Sequence, residues 1–310
     1  MDTTAPAAAP RLSVVVTVVD GGAALERCLD ALASQEGVDD IEVLVPYDAT
    51  LEGAAAWAAR WPAFRFLDAG RLPTTARWDS AAGQHELFDR RRAHGLARAT
   101  GDVVAIVEDR GAPRRDWARA MLAAHEVPAA VVGGPVANAR DRLVNWGVYF
   151  CDFSRYSPPL AGGPAEWVTD VNIAYKRRAL EATEELWRER YHETTVHWAL
   201  QRAGEVLHLD PRPVVEQDRG ELGLGRAASE RFAWGRLFAY TRAREIAFGK
   251  RLVLAALTPL LPFVLLVRHA RTNAAPGRRL GRYVVASPVV FLLCALWAAG
   301  ECAGYLTGRA

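Results

Sequence analysis

Short apolar runs alternate with longer segments of mixed polarity over the first two thirds of the chain, and this alternation defines the predicted elements. The apolar runs are typical of buried strands and lie at 12–19, 41–45, 64–67, 103–107, 129–136, 173–176 and 205–209. Helical patterns occupy 23–34, 51–61, 86–99, 115–125, the residues from 177 onward, and 191–203. Strands that alternate with helices of this length predict βαβ units, so we expect an α/β fold with a doubly wound, mostly parallel sheet.

The pattern changes near the C-terminus, where two longer apolar stretches occur at 252–267 and 283–306. A membrane span needs about 20 apolar residues, a length that the second stretch nearly reaches and the first does not. A buried core helix is the alternative for the first stretch, but two such stretches joined by a basic linker favour a membrane. We therefore predict three regions: a flexible N-terminus at 1–11, an α/β domain at 12–226, and a membrane-associated region at 227–310 made of an interfacial helix and a hairpin.

The topology of the membrane-associated region has two interpretations. Basic residues flank the stretch 252–267 on both sides, and the positive-inside rule then places both flanks in the cytoplasm. This favours a re-entrant hairpin bent at Pro259 and Pro262, followed by a second stretch that spans the membrane or dips into it; a two-span hairpin is the alternative. Residues 230–251 interleave aromatic residues with arginines, which is typical of a helix in the headgroup layer or of one packed on the domain with a solvated basic face.

Charge is distributed unevenly between the body and the tail of the chain. Residues 231–310 contain 12 Lys/Arg and 2 Asp/Glu, and the rest of the chain contains 26 and 34, so the balances are +10 and −8. An acidic body with a basic, apolar tail predicts a soluble domain held at an anionic lipid surface, and the apolar tail argues against nucleic acid. The four cysteines lack metal-ligand spacing, and the N-terminus lacks the features of a signal peptide. We expect the inner (cytoplasmic) membrane, with the α/β domain facing the cytoplasm.

Acidic residues follow three of the predicted strands. Asp20 follows the first strand, Asp48 the second, and Glu108 and Asp109 the fourth. In doubly wound sheets, ligands bind beyond the carboxyl ends of the strands. These carboxylates therefore predict a binding site at one edge of the sheet.

The adjacent pair Glu108 and Asp109 is the candidate metal site. Mg²⁺ or Mn²⁺ held by Asp109, with Glu108 assisting, would bridge to a diphosphate and neutralise charge on a departing phosphate. No glycine-rich phosphate loop is present, so the phosphates would depend on the metal and on cations such as Arg92. The alternative is that the two carboxylates cap the following turn and pair with nearby arginines such as Arg110.

Several segments resemble family 2 glycosyltransferases, which have the GT-A fold. The opening SVVVTVVDGGAALERCLDALASQ resembles the family's first strand and helix, with Val19 and Asp20 at the end of the strand motif. IEVLVPYDATLEG is similar to the second strand and its two-aspartate turn, of which Asp48 remains. VEDRGAPRRDW stands where the family has its Asp-x-Asp metal motif and is similar to a variant with Glu-Asp. The closing GECAGYLTG also resembles a bacterial subgroup of the family.

The resemblance implies further site residues in the second half of the chain. WVTDVNIAYKRRAL is similar to the family's acceptor-side segment and contains Asp170 and Asn172. HETTVHWALQRAGEVLHLDP is similar to the segment in which Glu193 takes the place of the catalytic base, with Asp170 as the rival base. RFAWGRLFA loosely resembles the family's Gln-x-x-Arg-Trp motif and supplies Arg231 and Trp234. Asn172, Arg231 and Trp234 are then expected to contact the acceptor or the diphosphate.

The implied activity is inverting, metal-dependent transfer of a sugar from a nucleotide-sugar donor to a membrane-bound glycan acceptor, polyprenyl-linked or part of the cell envelope. Val19, Asp20, Asp48, Arg92 and Glu108 would bind the nucleotide sugar, and Glu193 would take a proton from the acceptor hydroxyl. A non-catalytic nucleotide-sugar-binding or scaffold protein is the alternative, and a nucleotidyltransferase is a third possibility. A zinc protease is excluded because HETTVH separates His192 and His197 by five residues, about 140° around a helix.

Overall fold

A computed structural model describes residues 11–37 and 41–309 of the chain. Apart from Arg11, the predicted flexible N-terminus lies outside the described residues. The strands are β1 (Leu12–Thr17), β2 (Ile41–Tyr47), β3 (Arg65–Asp68), β4 (Val103–Glu108), β5 (Gly111–Pro113), β6 (Val131–Gly133), β7 (Val136–Asn138), β8 (Gly163–Ala165), β9 (Asn172–Lys176), β10 (Leu207–Leu209) and β11 (Val215–Gln217).

The helices account for most of the remaining chain, with 3-10 turns at Ser154–Tyr156 and Thr258–Leu260. They are α1 (Gly22–Ala33), α2 (Ala54–Arg60), α3 (Ala81–Leu96), α4 (Trp117–Ala124), α5 (Leu143–Phe153), α6 (Arg177–Glu181), α7 (Glu184–Trp187), α8 (Glu193–Arg202), α9 (Leu224–Ala243), α10 (Phe248–Leu257), α11 (Leu261–Asn273) and α12 (Leu280–Thr307). The predicted α/β fold with apolar C-terminal helices is confirmed.

The chain divides into two compact units. The first comprises the described parts of Met1–Pro73 together with Leu87–Ala137 and Leu160–Gln217. The second comprises Thr74–Glu86, Asn138–Pro159 and the described residues from Asp218 onward. The second unit thus takes in an internal segment around α5 as well as the C-terminal helices.

The first unit is built on an eight-stranded sheet of order β3-β2-β1-β4-β9-β6-β10-β8. β1 is parallel to both β2 and β4, and β2 is parallel to β3, so these four strands end at the same edge. β9 runs antiparallel to β4 and to β6. A smaller sheet of order β5-β11-β7 completes the strand structure.

The large sheet is covered on both faces, which is why its central strands read as continuous apolar runs. Val14 and Val16 of β1 face a core that includes Leu25, Leu29 and Cys28 of α1. Val15 faces the opposite core. Every residue of β1 is buried. This packing on both faces fixes the register of β1, β2 and β4 and therefore the position of the loops that follow them.

Three predicted elements differ from the structure. The run 129–136 forms two short strands, β6 and β7, because Gly134 and Pro135 interrupt it and proline cannot donate to a strand ladder. The stretch from the end of the run 129–136 to about 167, for which the sequence predicts no regular element, contains α5, whose apolar residues lack a clean helical period. The helix expected at 230–251 is two helices, α9 and α10, separated by 244–247.

The second unit is a layered set of helices. α12 packs against α5 and α9, and also against α10 and α11. Residues 248–273 stay helical through Pro259 and Pro262, which lie at or near the starts of a 3-10 turn and of α11, where proline is tolerated. Two segments, Phe248–Asn273 and Leu280–Thr307, are long and apolar enough to cross a membrane by length and composition.

Candidate functional site

The carboxylates predicted from the strand ends lie at one edge of the large sheet. β2, β1 and β4 are parallel neighbours, so Asp48, Asp20 and the pair Glu108–Asp109 follow strands that end side by side. Each of these carboxylates is held by a different set of partners, and those partners decide what the edge can do.

Asp109 holds the loop between β1 and α1. Its Oδ2 accepts hydrogen bonds from the backbone N–H groups of Val19, Asp20 and Gly21 at 3.0, 3.0 and 2.7 Å. Consecutive N–H groups that converge in this way form an anion-binding concavity, and positive φ angles of 66° at Gly21 and 51° at Gly22 shape it. The carboxylate of Asp109 therefore occupies a nest built from the loop that begins α1.

The environment of Asp109 also changes its acidity. Burial raises the pKa of Asp109 to about 7, the Gly21 N–H and the Arg110 guanidinium act in the opposite direction, and the nearby charge of Asp20 adds to the rise. Its second oxygen, Oδ1, is buried and has no hydrogen-bond partner among the described residues. One oxygen of Asp109 thus has a structural role and the other is uncommitted.

Asp20 and Asp48 are each paired with an arginine. Arg110 donates to both oxygens of Asp20, at 2.7 and 2.8 Å, in a bidentate pair. Asp48 is buried, accepts from Arg91 Nε at 2.8 Å, and accepts the Thr50 N–H at 2.7 Å. Arg91 also donates to the Val18 carbonyl at 2.5 Å, so this pair ties the loop after β2 to the end of β1.

Arg92 is the centre of a buried cluster of carboxylates. Its Nη2 lies 3.0 Å from Glu108 Oε1 and 2.8 Å from Asp170 Oδ2, and its Nη1 lies 3.5 Å from Asp89. Burial opposes the charged guanidinium, but Asp170, Glu108, Asp89 and Glu193 together raise the pKa of Arg92 above its ordinary value. Arg92 gathers acidic side chains from β4, from the segment before β9 and from its own helix, and its predicted contact with phosphate stays a prediction.

Glu193 is the first residue of α8 and is half-buried. Its Oε1 accepts a hydrogen bond from the hydroxyl of the neighbouring Thr194 at 3.4 Å. Its charge reaches Arg92, and also two buried phenols, Tyr175 and Tyr191. Both predicted bases, Glu193 and Asp170, therefore lie close to the Arg92 cluster, and Asp170 is the one that forms an ion pair with it.

A hydrogen-bonded aromatic chain lies behind Glu193. Tyr175 OH is 2.5 Å from Tyr191 OH and 2.7 Å from His197 Nε2. Burial, with a smaller contribution from His192, lowers the pKa of His197 to about 3, so this imidazole is neutral. The near-motif HETTVH thus places His197 inside the core rather than in a metal site.

Asn172, also predicted to contact a ligand, is fully buried in the first unit. Its Nδ2 donates to the carbonyls of Pro135 and Pro213, and its Oδ1 accepts from Trp117 Nε1 at 2.9 Å. These contacts use both ends of the amide, so Asn172 joins β9 to two loops and to α4 and presents no polar atom to a ligand.

Arg231 and Trp234 lie in the second unit. Arg231 is buried, forms an ion pair with Asp152, and has its guanidinium 4.8 Å from the Trp297 ring centroid. Trp234 is half-buried and has the guanidinium of Arg219 5.6 Å from its ring centroid. Their contact with acceptor or diphosphate stays a prediction.

A divalent cation fits part of the predicted metal pair. The described residues contain no cluster of three or more His, Cys, Asp or Glu side chains able to hold a metal. Mg²⁺ needs only one or two carboxylates when phosphate oxygens complete its shell. Asp109 Oδ1 suits that role because it is an uncommitted carboxylate oxygen. Glu108 does not, because Arg92 and Gln217 hold its two oxygens at 3.0 and 3.4 Å.

Several residues that shape the site were not predicted from the sequence. Arg91 pairs with Asp48 across 43 positions, and Arg110 pairs with Asp20 across 90. Both pairs follow from the order β2-β1-β4, which no local pattern specifies. Arg110 had been considered as a partner for the acidic pair beside it, and the proximity of opposite charges was the available signal.

No protein-family model matches the chain, and no curated protein sequence matches it. Among solved structures the chain resembles the mannosyltransferase PcManGT from Pyrobaculum calidifontis, determined in complex with GDP-Man and Mn²⁺, with a TM-score of 0.55 and 18% sequence identity. The alignment covers 95% of this chain and 87% of that chain. Likeness at this identity establishes the fold, and the chain therefore has the fold of a glycosyltransferase of known structure.

Proposed function

We propose that the protein is an inverting glycosyltransferase of family 2, with Glu-Asp in place of Asp-x-Asp, that moves a sugar from a nucleotide-sugar donor to a membrane-bound glycan acceptor. The observation that carries the proposal is the Arg92 cluster. It gathers Glu108 and Asp170, with Glu193 close by, at the carboxyl edge of a sheet whose fold is that of a glycosyltransferase. Ligands of open α/β sheets bind at this edge.

The donor would bind beside the loop that follows β1. The carboxylate of Asp109 holds this loop by accepting hydrogen bonds from the loop's backbone N–H groups. Arg110 fixes the carboxylate of Asp20, which belongs to the same loop. A divalent ion, Mg²⁺ or Mn²⁺, would be held by Asp109 Oδ1 and would neutralise charge on the leaving diphosphate. Because Asp48 is buried and paired with Arg91, its role would be to hold the wall of the nucleotide site rather than to contact the base.

Glu193 is the better candidate for the base. A carboxylate paired with a guanidinium at 2.8 Å is a poor proton acceptor, and this is the situation of Asp170. Among the described residues Glu193 has no ion pair within salt-bridge distance. It still lies close enough to Arg92 for the two charges to interact electrostatically. Glu193 would remove the proton from an acceptor hydroxyl, and the resulting nucleophile would attack the anomeric carbon with inversion.

The acceptor is proposed to be lipid-linked or part of the cell envelope. The support is the pair of long apolar helices, whose composition suits a membrane, and the basic residues that flank them. Such a tail would keep the enzyme at the inner membrane, where a polyprenyl-linked saccharide is presented.

Asp170 would position Arg92 and, through it, Glu108.

The proposal is tested by measuring sugar transfer and nucleoside diphosphate release with a panel of nucleotide sugars and Mn²⁺. Glu193→Gln is expected to lower kcat roughly 10²–10⁴-fold while donor affinity stays unchanged. Glu189→Gln is the matched control, because Glu189 is exposed and lies four residues away. Equal activity of the two variants would contradict the assigned base.

The same assay separates the alternatives. Donor binding without transfer by the wild-type protein would support a non-catalytic nucleotide-sugar-binding protein, a reading that the paired state of Asp20 and Asp48 favours. Release of pyrophosphate instead of nucleoside diphosphate would indicate a nucleotidyltransferase.

A further inference from the structure

The C-terminal helices present an unusual outer surface. Between Lys250 and Arg268 the exposed side chains are all apolar, whereas Ala255 is buried in a cluster with Tyr305 of α12. Of the 18 most apolar consecutive residues in this segment, only 22% are buried. We call the exposed side chains of this segment and of the N-terminal half of α12 the outer apolar face: Phe248, Leu252, Val253, Leu257, Leu260, Phe263, Val264, Val267, Val284, Val285 and Leu292.

The opposite side of α12 is in close contact with the backbone of α9 and, through the Val289 side chain, with α5. A methyl group on Gly300 would come within 2.1 Å of the Phe232 carbonyl, and one on Gly304 within 2.5 Å of the Arg236 carbonyl, both in α9. At the other end of α12, a methyl group on Gly147 of α5 would come within 2.4 Å of Val289. No lipid chain can enter between these helices, so α5 and α9 stay beside α12 wherever it lies.

The layer formed by α5 and α9 is charged. Asp152 of α5 pairs with Arg231 of α9 and lies 3.6 Å from Arg219, which in turn pairs with Glu230. Arg226 of α9 is exposed. Charged groups in the hydrocarbon region cost several kcal/mol each. If α12 crossed a bilayer, it would carry this layer with it, so the charges oppose a crossing.

Both ends of the helical hairpin are fixed to this same layer. At the turn between α11 and α12, Arg282 pairs with Asp141 at 2.7 Å, Asn273 donates to Ser154 Oγ at 3.0 Å, and Arg278 donates to the Ser154 carbonyl at 2.5 Å. At the opposite end, Arg242 of α9 donates to Tyr305 Oη at 3.5 Å, and within the hairpin Arg251 donates to the Tyr305 carbonyl at 2.7 Å. A spanning hairpin would have to place its turn on the far side of the membrane, away from these partners.

From these contacts we propose that the hairpin α10–α12 lies flat in a single leaflet of an anionic bilayer and does not cross it. The outer apolar face enters the acyl region, while α5 and α9 stay on the water side. Basic residues at both ends of the hairpin, Lys250 and Arg251 at one and Arg268, Arg271 and Arg279 at the other, meet anionic headgroups. The proposal concerns the membrane attachment in the proposed function and is independent of the chemistry.

Vesicle binding is the first test. The purified chain is expected to bind vesicles of phosphatidylglycerol and phosphatidylcholine more tightly than phosphatidylcholine alone, with the difference reduced by salt. Phe263→Glu and Leu260→Glu should each weaken binding roughly tenfold or more, because each removes a large side chain from the acyl region. Leu186→Glu, at an exposed leucine of α7, is the matched control and should bind as the wild type does.

Topology is the second test. In a bacterial host, Ala275→Cys at the hairpin turn and Ala247→Cys before α10 are treated with a membrane-impermeant maleimide in spheroplasts and in inverted vesicles. Both positions are exposed, and the unsubstituted chain supplies the background from its own thiols. A single-leaflet hairpin labels at both positions in inverted vesicles and at neither in spheroplasts.

Labelling of Ala275→Cys from the outside of spheroplasts, with Ala247→Cys protected, would establish a two-span hairpin and overturn the proposal. Failure of the wild-type chain to bind any vesicle, or a dimer that covers the outer apolar face in its place, would overturn it as well. Absence of glycosyl transfer with vesicle binding intact would count against the proposed enzyme and leave the lipid contact standing.

Discussion

At the scale of single residues, the acidic edge of the sheet combines structural and available groups. Asp48, Asp20 and Glu108 are each neutralised by an arginine, whereas Asp109 is held by backbone N–H groups alone. Buried carboxylates are stable only when paired or hydrogen-bonded, so these partners explain how the edge tolerates so much negative charge. The same contacts preorganise the acidic edge of the sheet, because they hold each carboxylate side chain in one defined position.

Asp109 should contribute more to stability than its exposed neighbours. Asp109→Ala leaves three N–H groups without their acceptor, of which that of Gly21 is buried, and is expected to lower the free energy of unfolding by about 2 kcal/mol, the order of an unsatisfied buried group. Urea denaturation followed by circular dichroism measures the change. Asp102→Ala, an exposed carboxylate before β4, is the control, and a loss no greater than that of the control would contradict the structural role of Asp109.

His197 should make stability depend on pH. Because burial lowers its pKa to about 3, the folded state resists protonation, whereas the unfolded chain protonates below about 6.5. Its contribution is therefore present above pH 6.5 and is lost as the pH falls from there towards 3. Between pH 7.5 and 5 the loss should be roughly 2 kcal/mol, from about 1.4 kcal/mol per pH unit for one proton.

His197→Gln provides the comparison, since its amide replaces Nε2 as the partner of Tyr175 without titrating. The difference in unfolding free energy between the two proteins should change sign or shrink as the pH is lowered. A pH-independent difference would show that His197 is not the titrating group.

At the scale of elements, close helix contacts define the second unit. Gly300 of α12 meets the α9 backbone, so Gly300→Ala should destabilise this unit by about 1–3 kcal/mol through overpacking. Gly281 lies in the same helix with open space around it, so Gly281→Ala should stabilise by roughly 0.5–1 kcal/mol. Limited proteolysis and thermal unfolding in detergent distinguish the two, and similar behaviour of both variants would disprove the contact.

Elements with a strong, uninterrupted pattern could be predicted from the sequence. The predicted ends of β1, β2 and β4 lie within two residues of the observed ends, because burial on both faces makes these strands continuous apolar runs. α5 could not, since its aromatic residues pack on several sides and blur the helical period. The acidic edge was predicted because its carboxylates directly follow predicted strands of a doubly wound sheet. The pairs of Arg91 and Arg110 and the Arg92 cluster depend on contacts between distant segments, which a single sequence does not encode locally.

At the scale of the whole molecule, the likeness to a solved mannosyltransferase concerns the fold, and the chemistry needs a direct measurement. If the proposed function is right, Mn²⁺ with a matching nucleotide sugar at about 100 times its Kd stabilises the folded chain by about 2.7 kcal/mol. That corresponds to a rise of roughly 5 °C in Tm. Chelation of the metal with EDTA should abolish most of the rise, and an unchanged rise would exclude Asp109 as a metal ligand.

The contact of α12 with α5 and α9 also governs how the protein can be shortened for study. Leu293 of α12 packs in an apolar cluster with Val148, Leu222 and Ala227. A fragment that stops before Phe248 would therefore expose the apolar faces of α5 and α9 to solvent. Such a fragment is expected to precipitate, whereas the full chain kept in a mild detergent should remain monodisperse in size-exclusion chromatography. Crystallisation or assay work would then begin from the intact polypeptide, with surfactant included from lysis onward.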